Sequence, residues 1–202
     1  LSIMGLSRKN TRICIYRQFR ASAKESLVPD FKRIMGEDGL DRWDDNGWNG
    51  SDLVYRFPNG STMEFIGCDR AYKRKGKRAD ISYINEVTEV NRESFDQINM
   101  RTDFIVLDFN PSHDHFVYGF KADETFGYHE STFRDNPFLP EGQRQTILGY
   151  EPTTDNKRRN TADESMWSIY GLGKPARLKG LIFDNWTETT EWPALEVCER
   201  YG

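Results

Sequence analysis

The sequence predicts an α/β fold, with a mostly parallel sheet, helices on both faces and an antiparallel hairpin insertion. Two short apolar runs, residues 80–84 and 104–107, flank a helical segment, and a strand–helix–strand unit of this length forms a parallel crossover. Asn59 and Gly60 stand between two further strand-like runs, which is typical of a hairpin turn. A length of 202 residues suits one domain, or one domain with a short extension.

The first half of the chain contains a strand, a helix and the hairpin. Residues 12–16 read as a short buried strand. Ser22 and Glu25 have the Ser-x-x-Glu spacing of a capping box, so a helix should follow Ser22. Residues 53–57 and 62–66 form the two strands of the predicted hairpin.

The second half of the chain contains the crossover unit and further helices. Asn91 can cap a helix over roughly residues 92–100, between the two apolar runs. A second helix should span residues 140–150, and a capping box that begins at Thr161 predicts a third. Residues 181–183 read as a last short strand.

Composition narrows the classes of protein. The formal net charge of -4 argues against a uniformly basic nucleic-acid binder, although a local basic patch is present. Three cysteines lie far apart in the sequence and form no Cys-x-x-Cys pair, which favours a reduced, intracellular protein. No apolar stretch approaches the ~20 residues of a membrane span. The first residues lack a signal-peptide pattern and do not start with Met, so we expect upstream residues to be missing.

Polar residues follow both apolar runs of the crossover unit. Asn85 and Glu86 come directly after residues 80–84, and Asn110 follows shortly after residues 104–107. Open α/β sheets build nucleotide sites at this carboxyl edge. A carboxylate held there can polarise the water that attacks a γ-phosphate, which makes Glu86 and Asn110 candidates for chemistry. The plain alternative is that Glu86 only ends a strand at the surface.

The sequence contains no phosphate-binding loop of the form GxxxxGK[ST]. Gly76-Lys77 is followed by Arg78, and Gly173-Lys174 is followed by Pro175, so neither pair supplies the hydroxyl that binds Mg²⁺. Either the protein is not a nucleotide hydrolase, or the loop lies before Leu1.

A basic run precedes the first strand of the crossover unit. Such a run could bind a phosphate backbone in a salt-sensitive manner, or it could be a solvated loop. Its cationic residues are Arg70, Lys73, Arg74, Lys75, Lys77 and Arg78. His113 and His115 resemble a metal pair, but their spacing beside a proline turn favours a surface loop instead.

Taken together, the order of motifs resembles the large terminase subunit of tailed bacteriophages and related prophages, within its ATPase portion. Ile15-Tyr16-Arg17 resembles the strand after the P-loop, and the segment from residue 81 to Glu86 resembles the Walker B strand with its catalytic glutamate. Asn110-Pro111 resembles the coupling motif. Three further stretches resemble the family in the same order: residues 57–67, residues 131–139, and residues 167–173 followed by 180–183.

This resemblance implies a P-loop NTPase-like fold from which the P-loop itself is absent. Residues 1–173 would be a partial ATPase domain that lacks Walker A. Residues 174–202 would be a linker toward an absent RNase H-like nuclease domain. The chain would then be a middle segment of a longer protein.

The resemblance also implies site roles, with ATP and Mg²⁺ as cofactors. Glu86 would orient water, Asn110 would sense the γ-phosphate, and either Arg101 or Arg134 would be the arginine that reaches the phosphates. Asn85 stands where the family usually has a carboxylate, and an amide could hold Mg²⁺ through a water. The basic run would track the DNA backbone.

The implied whole protein packages viral DNA into procapsids and cleaves it through its nuclease domain. Its partners would be double-stranded DNA, the portal protein, the small terminase subunit and further copies of itself in a ring, with no membrane. It would act in the bacterial host cytoplasm during virus assembly. The alternative is a non-catalytic nucleic-acid-binding or assembly module on the same α/β scaffold, which the missing P-loop favours.

Overall fold

A six-stranded sheet forms the centre of the computed structural model, which describes residues 1–36, 39–71, 78–111 and 114–176. The strand order across the sheet is β2-β3-β4-β1-β5-β6. The strands are β1 (Arg12–Arg17), β2 (Trp48–Asn49), β3 (Val54–Arg56), β4 (Thr62–Gly67), β5 (Ala79–Ile84) and β6 (Thr102–Leu107).

The four strands β4, β1, β5 and β6 run parallel, and the hairpin adds β3 and β2 in antiparallel pairing. Ile15 of β1 lies opposite Phe65 of β4 and Tyr83 of β5, and Tyr83 lies opposite Val106 of β6. The predicted mostly parallel sheet and its hairpin are therefore confirmed. The carboxyl ends of β1, β5 and β6 meet at one edge.

Helices lie before, between and after the strands along the chain. The α-helices are α1 (Ser2–Ser7), α2 (Arg20–Ser22), α3 (Val28–Met35), α4 (Cys68–Ala71), α5 (Arg92–Asn99), α6 (Glu141–Gly149), α7 (Thr154–Arg158) and α8 (Glu164–Met166). A π-helical turn, Ala23–Leu27, joins α2 to α3, and a second one, Trp167–Gly171, follows α8. Short 3-10 turns cover Asp45–Gly47, Val87–Glu89, Phe116–Ala122 and Phe133–Asp135.

Alternation along the strands divides the core into two layers. Ile13 and Ile15 of β1 face the layer that contains Phe31 and Met35 of α3. Residues at the ends of β5 and β6 face the opposite layer, which is built around Phe95 of α5. Both layers bury apolar side chains, which stabilises the sheet from both faces. The predicted helices on both faces are therefore confirmed.

Two of the three predicted side-chain caps are wrong in detail. The first helix begins at Arg20, and Ser22 lies inside it with helical backbone angles, so Ser22 is no cap. Asp163, rather than Thr161, caps α8, since its carboxylate accepts from the backbone N–H groups of residues 165 and 166 at 2.9 and 3.0 Å. Asn91 caps α5 as predicted and accepts from the Ser94 N–H at 2.8 Å.

The hairpin turn needs glycine because Gly60 has a φ of +87°, which lies in the left-handed region. The sequence did not predict α1, β2 or α7, which are all short. The predicted strand at residues 181–183 lies outside the described residues, as does most of the predicted linker.

The outer edge of β6 is open: within the described ranges no strand pairs with it. Four consecutive apolar residues, Phe104 to Leu107, are typical of a strand that is covered on both faces. Yet Phe104 is 58% exposed. The apolar composition of β6 is thus typical of an inner strand, although β6 lies at the edge of the sheet.

Candidate functional site

Glu86 stands between β5 and the turn Val87–Glu89, with φ 54° and ψ 58°. This left-handed conformation is uncommon for a residue that has a side chain. The backbone is held there by β6, since the Glu86 N–H donates to Asp108 Oδ1 at 2.8 Å and the Val87 N–H donates to the Asp108 carbonyl at 2.9 Å. The bend turns the chain sharply at the carboxyl end of the strand.

The Glu86 carboxylate contacts Asn110 from the next strand end. Asn110 Nδ2 donates to Glu86 Oε1 at 3.2 Å, and the Asn110 N–H lies 3.4 Å from Oε2. The prediction that the two strand ends deliver Glu86 and Asn110 to the same place is therefore confirmed. Glu86 is half-buried and hydrogen-bonded rather than fully exposed at the surface.

Several groups set the pKa of Glu86, and their sum raises it above the ordinary glutamate value. Burial is the largest cause, because it disfavours the charged carboxylate. The negative charge of Asp108 acts in the same direction, whereas the hydrogen bond from Asn110 and the positive charge of Arg17 oppose it. A carboxyl group with a raised pKa is better matched to accepting a proton near neutral pH.

Asp108 lies at the centre of the site, although sequence reasoning did not select it. Its carboxylate accepts from the Tyr83 hydroxyl at 2.8 Å, from the Glu86 N–H at 2.8 Å and from Asn85 Nδ2 at 3.0 and 3.2 Å. The available signal was its position as the first residue after β6, next to the Asn110 segment.

Asn85 is buried, and both ends of its amide are engaged. Its Nδ2 donates to Asp108, and its Oδ1 accepts from Nη1 of Arg17, at the end of β1. Arg17 also lies 3.7 Å from Glu89 Oε1, so it joins the ends of β1 and β5. A carbonyl oxygen has two lone pairs, so one acceptor position on Asn85 is left for a water.

A groove of about 710 Å³ extends from this edge of the sheet toward the carboxyl-terminal helices. Asp108 and Asn110 are among its lining residues, and Tyr118, Tyr128 and Phe133 supply aromatic walls. The groove therefore connects the strand ends to the helical part of the chain.

A family profile described as phage terminase large subunit matches residues 3–171. The chain belongs to the phage terminase large subunit family. A search of curated protein sequences finds no match.

Solved terminase structures have the same fold. The large terminase of a thermophilic bacteriophage aligns with a TM-score of 0.55 at 12% identity, over 75% of this chain and 40% of that one. The complex of that same protein with ATP-γ-S aligns with a TM-score of 0.56 at 11% identity, over 75% and 39% of the two chains. The HK97 bacteriophage large terminase gives 0.52 at 11% identity, over 86% and 42%. This terminase chain thus spans about two fifths of the length of those proteins.

Of the two arginines predicted to reach the phosphates, Arg101 lies away from the site in this terminase chain, and the role of Arg134 stays a prediction. Arg101 precedes β6, at the opposite end of that strand from Asn110, and its Nη1 donates to the Gln97 carbonyl at 3.2 Å. Six strand residues separate it from the site by about 20 Å. The exposed Arg134 guanidinium lies over the rings of Phe133 and Trp167, 4.8 and 5.5 Å from their centroids. Arg101 therefore cannot reach Glu86 within one subunit.

The basic run falls mainly outside the described residues, which include neither residues 72–77 nor the Arg70 side chain. Arg78 is described and exposed, and its carbonyl accepts from Arg12 Nη1 at 2.7 Å at the amino end of the sheet. That end is opposite to Glu86. The DNA-binding role of the run stays a prediction.

The histidine pair is only half described, since His113 lies outside the described residues. The His115 ring serves the backbone: Nδ1 accepts from the Val117 N–H at 3.4 Å, and Nε2 lies 3.0 Å from the Val90 carbonyl. In the described part of the chain, no group of three or more Cys, His, Asp or Glu residues could hold a metal ion. No helix among those same residues is long and apolar enough to cross a membrane.

Proposed function

We propose that this chain carries the hydrolytic edge of an ATP site in a motor that packages viral DNA. Glu86 orients a water against the γ-phosphate and accepts its proton. Asn110 senses the γ-phosphate and couples its loss to movement of the chain that follows β6. A positioned base contributes roughly 10²–10⁴-fold to such a rate.

The contact between Glu86 and Asn110 is the observation that carries this proposal. Two neighbouring parallel strands deliver a carboxylate of raised pKa and an amide to the same edge, 3.2 Å apart. Rigid strands hold both groups with little freedom, as the positioning of an attacking water requires. A solvated surface glutamate would have neither the burial nor the partner.

ATP as the nucleotide is supported by the large terminase of the thermophilic bacteriophage, which was solved with ADP and with ATP-γ-S. Bound Mg²⁺ would neutralise charge on the phosphate oxygens. The donor set fits a water-mediated site better than a direct one, because the Asp108 oxygens are occupied and Asn85 Oδ1 has one acceptor position left. Asn85 would therefore hold a water of the metal shell.

This proposal requires a phosphate-binding loop from residues outside this sequence, which has no GxxxxGK[ST] motif. The open edge of β6 offers its strand a place, because an added strand would pair the free backbone groups and cover Phe104. A loop at the carboxyl end of such a strand would lie beside Asn110. Residues 1–173 would then be a partial ATPase domain, and residues 174–202 a linker toward a nuclease domain.

The proposal extends to the whole protein. It would bind double-stranded DNA, in part through the basic run, and would assemble as a ring with the portal protein and the small terminase subunit in the host cytoplasm. Since Arg101 is about 20 Å from Asn110 along β6, it could reach phosphates only in a neighbouring subunit. The exposed Arg134 is equally available to a neighbour.

A non-catalytic nucleic-acid-binding or assembly module remains the second candidate. The absence of a P-loop from the printed sequence favours it for this chain taken alone. A binding or assembly module would leave the raised pKa of Glu86 without a function.

The test is Glu86→Gln in the whole protein. We expect ATP turnover to fall at least 100-fold, within the range of roughly 10²–10⁴-fold for a lost general base, while ATP binding measured by calorimetry is retained. Glu93→Gln is the matched control, because Glu93 is an exposed glutamate in the first turn of α5. Full turnover in Glu86→Gln would remove Glu86 from the chemistry and leave the binding module.

A further inference from the structure

We infer that Asp108 is the positioning residue of this site: it fixes the backbone of Glu86 so that the carboxylate meets its water in one orientation. The inference rests on the proposed function. It assigns a role to a residue that neither the motif pattern nor the family match selects.

Protein donors occupy the acceptor positions of the Asp108 carboxylate. Its two oxygens have about four acceptor positions. Asp108 Oδ1 accepts from the Glu86 N–H and Asn85 Nδ2, and Oδ2 accepts from the Tyr83 hydroxyl and the same Nδ2. All of these donors belong to the protein. Asp108 is therefore committed to holding other residues and is not available to bind a metal directly.

Asp108 holds the bend around Glu86 through both its side chain and its backbone. Its side chain accepts from the Glu86 N–H, its carbonyl accepts from the Val87 N–H at 2.9 Å, and its own N–H donates to the Ile84 carbonyl at 3.2 Å. Three hydrogen bonds thus attach the bend around Glu86 to Asp108 at the end of β6. A left-handed conformation persists at a residue with a side chain only where its surroundings enforce it.

The charge of Asp108 acts on two neighbouring side chains. Asp108 places a negative charge beside Glu86 and contributes to its raised pKa. It also raises the pKa of Tyr83, after burial, which is the larger cause. Removing the charge while keeping the shape should thus alter both the position and the pKa of Glu86. Substitution of a residue with a purely structural role would leave the pH dependence of the reaction unchanged.

The experiment compares Asp108→Asn with Asp103→Asn in the whole protein. Asp103 is an exposed aspartate at the other end of β6, so its substitution controls for loss of a strand-end charge. We expect Asp108→Asn to lower kcat for ATP by about 10–100-fold, as for loss of a supporting hydrogen-bond partner, with KM changed less than about threefold. The acid limb of the kcat–pH profile should move to lower pH, and Asp103→Asn should change neither quantity.

A second readout does not depend on turnover. In protein that carries ¹³C-labelled tyrosine, the Tyr83 ring resonance at neutral pH should shift in Asp108→Asn relative to the unsubstituted protein, because the Tyr83 hydroxyl no longer donates to a charged carboxylate. Tyr83→Phe assigns the resonance. An unchanged Tyr83 resonance would contradict the contact between Asp108 and Tyr83.

The outcomes separate this inference from the proposed function. If Glu86→Gln abolishes turnover while Asp108→Asn leaves kcat and the acid limb unchanged, the positioning role is wrong and the proposed function stands. If Glu86→Gln keeps full turnover, both fail. If Asp108→Asn does not fold, Asp108→Glu carries the test. It keeps the charge but displaces it by one methylene, so it should lower kcat without moving the acid limb, and unchanged kcat would overturn the inference.

Discussion

Glycine at position 86 should give a more stable protein than alanine at that position, the reverse of the usual order. A residue with a side chain costs about 1–2 kcal/mol in the left-handed conformation that Glu86 adopts. Glycine avoids this strain but loses more chain entropy on folding, about 0.5–1 kcal/mol. The difference leaves Glu86→Gly more stable than Glu86→Ala by roughly 0.7 kcal/mol. Both variants lose the carboxylate and its contact with Asn110, so that loss cancels.

The assay is urea unfolding followed by tryptophan fluorescence, with the unfolding free energy taken by linear extrapolation. Gln97, within α5, provides the control pair, because it has an ordinary helical conformation. There the glycine variant should be less stable than the alanine variant by about 0.8–1 kcal/mol. If the glycine variant is also the less stable one at position 86, by a similar amount, the strain argued for Glu86 is refuted.

Three further predictions concern pH, the open edge and the hairpin. The folded pKa of Glu86 lies above its unfolded value, so its contribution to stability is present at low pH and is lost as pH rises through the folded pKa. The stability that Glu86→Gln gains over the unsubstituted protein should therefore be larger at pH 7 than at pH 4. Equal gains at the two pH values in thermal unfolding would contradict this. Phe104→Ser should reduce self-association of the printed chain in light scattering, because Phe104 is exposed on an open strand edge; undiminished association would place the contact elsewhere. Ser61→Ala should lower the unfolding free energy by about 1–3 kcal/mol, since the buried Thr11 N–H loses its acceptor at 3.1 Å. Ser51 is exposed, so Ser51→Ala should change the unfolding free energy by less than about 0.5 kcal/mol. Similar values for the two variants would refute the argument.

Local patterns predicted most of the sheet. The Asn59-Gly60 turn, the Asn91 cap and the apolar runs of β5 and β6 depend on neighbours within a few residues, and all three are confirmed. The Ser22 cap failed although its spacing was right. The helix begins at Arg20, directly after the end of β1, so Ser22 lies inside a helix that already exists.

The site was predicted only in part, because its second half depends on pairing between strands. Glu86 and Asn110 follow apolar runs, which marks them in the sequence. Asp108 and Arg17 carry no such mark. Their contacts with Asn85, 23 and 68 residues away in sequence, exist only once β1, β5 and β6 lie side by side. Tyr83 likewise reads as one more apolar residue of a buried strand until its hydroxyl is seen to donate to Asp108.

The Glu86 carboxylate has two oxygens, and both face Asn110. Turning one of them toward a solvent molecule would therefore release one of the two bonds that tie Asn110 down. Pro111 follows immediately, and with it begins a wall of the aromatic groove. In the proposed function, ATP hydrolysis and displacement of that wall would then depend on the same Glu86–Asn110 contact. A substitution that weakens this contact should uncouple hydrolysis from movement without abolishing either.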